Sequence, residues 1–211
     1  MQKYFLQHKM VMVFLLVVLA IFSFGSGINA ATNEGPKEQL EKSVNKILNI
    51  LQSENYKGSE KKDKCHQLVL NVVNDMFDFR EMAKSSLGKN WNNLSPEEQE
   101  NFVGLFTNLI EQRYIGKIDS YNNQKVVYKK QRVKGNKAII YTDIIDKDLE
   151  IPIDYRLKEK QGKWLIYDMK IENVSLIANY RRDFDSIIRK EKFAGLMEKI
   201  TKLIEKPETK N

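Results

Sequence analysis

The spacing of apolar residues changes period within residues 151–184. In the first part of this segment apolar and polar positions alternate, which is typical of a strand with one buried face. The buried-face positions there are Ile151, Ile153, Tyr155 and Leu157. After a turn at Gln161-Gly162, a second strand is predicted over residues 163–171, and beyond it the apolar positions repeat every four residues, as on one side of a helix. The segment therefore predicts a hairpin that leads directly into an amphipathic helix.

The rest of the chain divides into a helical first half and a strand-rich centre. Helical periodicity predicts helices over residues 37–52 and 64–73, and a short helix that ends near residues 87–88. A further helix begins at Ser95-Pro96-Glu97-Glu98, where serine can cap and proline suits the first turn, and it is predicted to reach residue 121. Strands are predicted over 125–133 and 137–145, and the closing helices over 174–189 and 193–204.

These elements predict an α+β fold. Four sequential strands joined by short turns form an antiparallel meander, and the helices before and after it must cover one sheet face. The chain has more amphipathic helix than one sheet face needs, which favours a curved sheet and helices that enclose an interior space. We expect a single domain over residues 31–206 and a polar tail over residues 207–211.

The first thirty residues have the pattern of a secretory signal peptide. Lys3 and Lys9 precede an uninterrupted apolar run over residues 10–22, and the segment ends at Ala30. The run is shorter than the roughly 20 residues that span a bilayer, which favours a cleaved signal over a membrane anchor. Export is therefore expected, with cleavage after Ala30.

The net charge of the chain indicates which kinds of partner it would attract. The chain has 35 basic and 28 acidic residues, and removal of residues 1–30 subtracts two lysines and no acid, which leaves a net charge of +5. A mildly basic exported protein is attracted to anionic membrane surfaces or acidic partners, whereas an aromatic and basic motif for nucleic acid is missing.

Cys65 is the single cysteine, so no internal disulfide can form, and its helical spacing favours packing over reactivity.

Little in the sequence supports catalysis. After export His66 is the one remaining histidine, and it adjoins Cys65, so neither a zinc site nor a nucleophile and base pair can be assembled by the usual spacing. Isolated glycines exclude the known phosphate-binding loops. Asp154 and Asp168 could form the acid pair of a hydrolase. Alternatively, Asp154 lies on the polar face of its strand, and Asp168 binds a neighbouring strand or caps a helix.

Several motifs together resemble the MlaC family of periplasmic phospholipid-binding proteins, described also as toluene-tolerance auxiliary components of an ABC transport system. They are D-F-x-x-M-A-x-x-x-L-G-x-x-W at residues 78–91, S-P-E-E-Q-x-x-F at 95–102, DYRL at 154–157, W-x-x-Y-D at 164–168 and E-x-V-S-L-I-x-N-Y-R-x-x-F at 172–184. The resemblance covers residues 77–193. It implies a nuclear-transport-factor-like fold with an apolar cavity between sheet and helices.

The resemblance implies a soluble periplasmic carrier that moves phospholipid between outer-membrane and inner-membrane transport complexes and so maintains outer-membrane lipid asymmetry. Its partners would be an inner-membrane ABC transporter complex and an outer-membrane lipoprotein complex, with phospholipid as cargo, no cofactor and no metal. We expect a monomer. The candidate lipid-binding residues are Phe102, Leu105, Phe106, Leu109, Tyr114, Ile118, Ile153, Tyr155, Ile166, Val174, Ile177, Tyr180, Phe184 and Ile188. Arg181 and Arg182 would suit a headgroup or a partner surface.

Two other functions remain open at this point. A fold of this kind can also hold a small isomerase or a hydrolase-like enzyme that uses Asp154 or Asp168 as a general base. Alternatively, the apolar stripes only pack on the sheet, and the protein is a structural module of the cell envelope that binds other proteins.

Overall fold

The structure, a computed structural model, describes residues 34–205 with the exception of residues 57 and 148. The signal peptide predicted over residues 1–30 and the polar tail predicted over residues 207–211 lie outside the described residues.

Helices occupy both ends of the described chain, and the strands lie between them. The helices are α1 (Pro36–Gln52), α2 (Lys62–Met76), α3 (Phe79–Leu87), α4 (Pro96–Ile115) and α5 (Leu176–Glu205). The strands are β1 (Lys125–Lys134), β2 (Lys137–Asp146), β3 (Leu149–Lys160), β4 (Lys163–Ile171) and β5 (Val174–Ser175). Short 3₁₀ helices cover Glu54–Tyr56, Ser59–Lys61, Gly88–Asn93 and Ile118–Ser120.

The sheet confirms the predicted antiparallel meander and adds one short strand. Its order is β1-β2-β3-β4-β5, and each strand pairs antiparallel with the next. The fifth strand exists because Glu172 and Asn173 both have positive φ, 48° and 65°, and form a tight turn. This turn folds Val174 and Ser175 back onto the end of β4, where the sequence predicts the first residues of a helix.

The start of α4 is as predicted, and its end is earlier. Ser95 and Glu98 form a complete capping box, in which each side chain bonds the backbone N–H of the other residue. The helix ends at Ile115 instead of residue 121, before Gly116. Beyond this glycine, Asp119 accepts hydrogen bonds from α2, and the chain forms a 3₁₀ helix there.

The two closing helices predicted by the sequence are joined end to end in α5. Ser175 caps the first of them, because its Oγ accepts a hydrogen bond from Ala178 N at 3.0 Å. Lys192, with φ 63° and ψ −177°, interrupts the helical backbone between the predicted segments. The predicted break between residues 189 and 193 is therefore confirmed.

Buried apolar side chains form two separate cores. The sheet-side core lies between one face of the sheet and helices α1 and α2. It comprises Leu40, Val44, Leu48, Val72, Met76, Val126, Ala138, Ile140, Ile144, Ile151, Ile153, Tyr155, Leu157, Ile166, Met169 and Ile171.

The second core, the helical core, lies among α3, α4 and α5. It comprises Phe79, Met82, Ala83, Leu87, Trp91, Phe102, Phe106, Leu109, Ile110, Tyr114, Leu176, Ile177, Phe184, Leu196 and Ile200. Phe77 is partly buried against both cores, so α3 begins where they meet. Within residues 34–205, gaps excepted, no helix has the length and apolarity needed to cross a membrane.

Candidate functional site

The sheet-side core is an extended apolar surface made by alternate residues of four strands. Ile140, Ile153, Tyr155 and Leu157 are each at most 1% exposed, and the side chains between them in sequence point to the opposite sheet face. Helices α1 and α2 cover this surface with aliphatic side chains spaced three or four residues apart. This surface is suited to bind a long apolar ligand wherever α1 and α2 do not cover it.

Three hydroxyls lie in this largely apolar interior, and that of Thr142 donates to the carbonyl of Ile153 at 3.0 Å. The hydroxyls of Tyr128 on β1 and Tyr155 on β3 are buried, and neither makes a hydrogen bond with the described residues. Burial raises the pKa of both phenols, and the proximity of Tyr128 raises the pKa of Tyr155 further. Because buried polar groups are nearly always hydrogen-bonded, these hydroxyls are candidates to bind a polar group of a ligand.

A pocket opens at one end of the sheet-side core, beside the turn between β3 and β4. Its volume is about 280 Å³. Its apolar wall includes Leu40, Met76, Leu157 and Ile166 of the sheet-side core. Its polar rim includes Glu34, Lys42, Asp75 and Lys163. The pocket is thus a mouth that leads from a charged surface to the apolar interior.

Gln39 holds α1 against the sheet at this mouth. Its Nε2 donates to the carbonyl of Gly162 at 3.1 Å, and its Oε1 accepts from the backbone N–H of Trp164 at 2.9 Å. Gln161 and Gly162, with φ of 53° and 80°, form the two-residue turn that presents these groups. Leu40, Val44 and Leu48 of α1 add apolar contacts with the sheet-side core.

The pocket is smaller than a lipid needs. Ligand pockets usually have volumes of roughly 300–1,000 Å³, and the 280 Å³ of this pocket lies just below that range. Beyond the pocket, side chains of α1, α2 and the sheet pack against one another in the sheet-side core. An acyl chain longer than the pocket would need the helices to move away from the sheet.

The predicted lipid-binding residues are divided between the two cores. Ile153, Tyr155 and Ile166 lie in the sheet-side core. The helical core contains Phe102, Phe106, Leu109, Tyr114, Ile177 and Phe184, with Leu105, Tyr180 and Ile188 packed against it. Ile118 and Val174 are half-buried outside both cores. The structure therefore does not bring the predicted residues together at one site.

Aromatic packing closes the helical core. Phe106 is 5.5 Å from Tyr180 and 6.1 Å from Phe184 between ring centroids, in edge-to-face geometry that favours such pairs. The hydroxyls of Tyr114 and Tyr180 are hydrogen-bonded to each other. The Arg181 side chain is held against α3, because its Nε donates to the carbonyl of Ser85 at 2.6 Å. It is therefore not directed toward a lipid headgroup at the pocket. These contacts account for the helical core by packing alone.

Sequence reasoning missed α1 and β1 as parts of the site. Leu40, Val44 and Leu48 of α1 face the sheet, and Val126 and Tyr128 of β1 lie on the same core. The four-residue spacing in α1 was a usable signal, since it marks a helix with one apolar side. Nothing in the spacing says which surface that side covers.

The two aspartates considered as catalytic acids have different surroundings. The Asp168 carboxylate is 4% exposed and accepts hydrogen bonds from Ser175 Oγ at 2.8 and 3.0 Å and from Ile177 N at 3.1 Å. Arg156 Nη1 lies 3.4 Å from it. Asp168 therefore binds a neighbouring strand and the start of a helix, as one of the two sequence interpretations predicts.

Asp154 is half-buried on the sheet face that α1 and α2 leave open. Burial raises the pKa of its carboxyl, against the opposing effect of Lys170, Arg156 and Lys130 nearby. Asp154 and Asp168 flank Arg156 on the open side of the sheet, away from the sheet-side core. Neither carboxylate therefore faces the apolar interior.

Cys65 and His66 do not form a reactive pair. His66 Nε2 lies 2.8 Å from Asp119 Oδ1, which ties α2 to the 3₁₀ helix Ile118–Ser120. Burial raises the pKa of the Cys65 thiol, which lowers its reactivity. In the part of the chain that the structure describes, no group of three potential metal ligands is present.

Comparison with known proteins gives one consistent result. The family described as "MlaC protein" matches residues 41–202. The chain is 22% identical over 200 residues to the intermembrane phospholipid transport system binding protein MlaC of Haemophilus influenzae, with 92% of this chain and 94% of the relative covered. It shares its fold with the phospholipid-binding protein of Ralstonia solanacearum, solved in complex with a phospholipid. The TM-score is 0.71 at 23% identity, over 80% of this chain and 96% of the other. The extent of the family match shows that this chain belongs to the MlaC family.

Proposed function

We propose that this protein is a phospholipid carrier of the periplasm, which shuttles lipid between an outer-membrane lipoprotein complex and an inner-membrane ABC transporter complex. Such exchange would maintain the lipid asymmetry of the outer membrane. Family membership supports this function, as does the phospholipid held by the Ralstonia solanacearum relative. The protein itself would carry out no chemical reaction.

The observation that carries the proposal is the composition of the sheet-side core. It offers an apolar surface for acyl chains and, within it, the two hydroxyls of Tyr128 and Tyr155 that bind nothing else among the described residues. Ester carbonyls of a glycerolipid are acceptors for phenol O–H groups. Each hydroxyl would thus gain a hydrogen bond when the lipid is bound.

Lipid entry would require α1 and α2 to separate from the sheet. Apolar contacts are not directional, so acyl chains can replace the aliphatic side chains of α1 against the sheet. Burial contributes about 0.8 kcal/mol for each methylene, so a chain of about fifteen carbons contributes on the order of 10 kcal/mol. This gain would offset the loss of helix contacts and of the Gln39 hydrogen bonds.

The same magnitude determines how lipid is released. A chain held by about 10 kcal/mol does not leave for water at a useful rate. A partner with an equally apolar site can accept the lipid with little change in free energy. Transfer between partners would need no covalent step, and the partner ATPase would supply direction.

The direct test is lipid analysis of protein purified from periplasm. Native mass spectrometry should show protein with bound phospholipid, and organic extraction should release it in a ratio near one lipid per chain. Folded protein that has been exported to the periplasm but carries no phospholipid would contradict the proposal.

Substitution of the two phenols tests the proposed position of the lipid. Tyr128→Phe and Tyr155→Phe remove only the unpaired hydroxyls, so we expect stability to be kept and the lipid off-rate to rise about fivefold to tenfold, as for loss of one hydrogen bond. Tyr180→Phe is the matched control, because its hydroxyl binds Tyr114 in the helical core. Faster lipid loss from the control than from the two test variants would place the lipid elsewhere.

A further inference from the structure

The sheet face opposite the sheet-side core has a regular array of basic residues. Its side chains come from positions that alternate with the core residues, and the strand register arranges them in rows across the sheet. One row contains Lys134, Lys137 and Lys158, which lie directly opposite each other on β1, β2 and β3. We call this surface the basic face.

The rows behind this one are also rich in cations. In the next row Arg132 of β1 and Arg156 of β3 flank Ile139 of β2. In the third row Lys130 and Lys170 stand at the two ends, on β1 and β4. The carboxylates in these rows are Asp168, which binds Ser175 and Ile177, and Asp154. Cations therefore outnumber carboxylates on the basic face.

Several of these cations have no carboxylate partner. Among the described residues, no acidic side chain lies within ion-pair distance of Arg132, Lys134 or Lys137. All three are exposed. Lys158 is the exception in its row, because Glu81 lies 3.4 Å away. Like charges directly opposite in a sheet destabilise it, so Lys134 and Lys137 cost stability unless an external anion lies against them.

The lysine row lies at the same end of the sheet as the pocket mouth. The turn between β1 and β2 and the turn between β3 and β4 are adjacent, because Glu159 N donates to Asn136 O at 2.9 Å. Gly162 and Lys163 at the second turn also line the pocket. An anionic surface that binds the lysine row would therefore lie at the end of the sheet where the pocket opens.

We infer that the basic face docks on the surface of a bilayer that contains anionic phospholipids. Exposed cations on neighbouring strands that lack a carboxylate partner, as Arg132, Lys134 and Lys137 do, suit a laterally mobile layer of headgroups. Docking would bring the end of the sheet where the pocket opens close to the layer from which phospholipid is taken or to which it is returned.

Vesicle flotation tests this inference. The mature chain is mixed with neutral vesicles of phosphatidylcholine alone, or with anionic vesicles of phosphatidylcholine that contain about 30% phosphatidylglycerol. We expect binding to the anionic vesicles at low salt, little binding to neutral vesicles, and loss of binding near 0.5 M salt, at which the Debye length is roughly 4 Å. Binding to neither vesicle would overturn the inference and leave an acidic protein as the occupant, and equal binding to both would overturn it as well.

The variant Lys134→Gln/Lys137→Gln locates the surface. Each lysine near an anionic bilayer changes the affinity by about fivefold, so the affinity of the double variant for anionic vesicles should be at least about tenfold lower. Lys46→Gln/Lys64→Gln removes the same charge from exposed positions on α1 and α2 and should bind within about twofold of the parent protein. Equal loss in both variants would show that net charge, not this face, drives binding.

Lipid extraction from the same samples separates this inference from the proposed function. The Lys134→Gln/Lys137→Gln variant should retain as much phospholipid as the parent protein, because its substitutions lie outside the apolar interior. Parent protein with bound phospholipid but no affinity for anionic vesicles would overturn the docking surface alone.

Discussion

The carboxylate of Asp168 accepts a hydrogen bond from the backbone N–H of Ile177 at 3.1 Å. Asp168 lies near the end of β4, and Ile177 lies in the first turn of α5, with only a tight turn and β5 between them. Ser175 bonds the same carboxylate and also caps α5. One buried side chain thus fixes where the sheet stops and where the helical core begins.

Replacement of Asp168 should therefore destabilise the fold. Asp168→Ala leaves Ile177 N and Ser175 Oγ without their acceptor, and we expect a loss of about 2–4 kcal/mol in the free energy of unfolding, because hydrogen bonds to a charged group are involved. Urea denaturation of lipid-free protein, followed by circular dichroism, measures this loss. Asp183→Ala at an exposed position of α5 is the control and should change stability by less than about 0.5 kcal/mol.

A further variant, Asp168→Asn, tests the enzyme hypothesis. An enzyme that uses Asp168 as a general base would lose turnover in Asp168→Asn while its fold remains intact. We expect Asp168→Asn to lower stability instead, because asparagine offers one acceptor oxygen where the carboxylate uses two. A stable Asp168→Asn protein would contradict the structural role.

Replacement of Asp154 should raise stability, whereas replacement of Asp168 should lower it. Burial raises the pKa of its carboxyl in the folded state, so the folded protein binds a proton more tightly than the unfolded chain does. Its contribution to stability is therefore greatest below the unfolded pKa and decreases as pH rises through the folded pKa. Asp154→Asn should thus raise stability at pH 7, by less than about 0.5 kcal/mol because solvent screens this half-exposed group.

The difference between the parent protein and Asp154→Asn should disappear when the pH falls to about 3, where the aspartate is protonated in both states. Urea midpoints measured from pH 3 to pH 7 test this dependence. An Asp154→Asn protein that is less stable at pH 7 would show that Lys170 and Arg156 outweigh burial.

Alkaline pH should weaken the fold through Tyr128 and Tyr155. Burial raises the pKa of both phenols above that of an ordinary tyrosine. The unfolded chain then releases protons above about pH 10 that the folded protein retains, and stability falls by up to about 1.4 kcal/mol per pH unit for each phenol. Tyr128→Phe/Tyr155→Phe should reduce this slope between pH 10 and 12.

The slope is obtained from urea denaturation at each pH, and tyrosinate absorbance reports which phenols ionise in the folded protein. Tyr56→Phe, in the short 3₁₀ helix outside both cores, serves as the control and should leave the slope nearly unchanged. A slope that is equal in the double variant and the parent protein would mean that the two phenols ionise while the protein is folded.

The helical core should govern stability without governing lipid retention. Phe184→Ala removes a ring that contacts Phe102, Phe106 and Tyr180, and it should cost about 3–5 kcal/mol. The protein that remains folded should carry as much phospholipid as the parent, because the ring lies outside the sheet-side core. Lipid loss in the folded fraction would show that the bound acyl chains extend into the helical core.

Local chemistry made most elements predictable from the sequence. Alternation identified the strands, and Ser95 with Glu98 marked the start of α4, because both signals depend on neighbouring residues only. Tertiary contact decided the remainder. The apolar side of α4 showed that Phe102 and Phe106 are buried, but not that Phe184 covers them in place of the sheet.

The candidate site was predictable only on its strand side. Ile153 and Tyr155 were identified because alternation separates two faces of a strand. Tyr128 was missed, since a bulge at Lys129 changes the pattern of β1 after it. The lysine row of the basic face depends on strand register, which spacing along one strand does not contain.

The first strand also has a consequence for behaviour at high concentration. β1 lies at the edge of the sheet, and its backbone groups on that side could pair with a strand of another molecule. The bulge at Lys129 bends this edge, and charged side chains run along it to Lys134. Both features oppose edge-to-edge aggregation, and we expect them to keep the protein dispersed as single molecules in a crowded compartment.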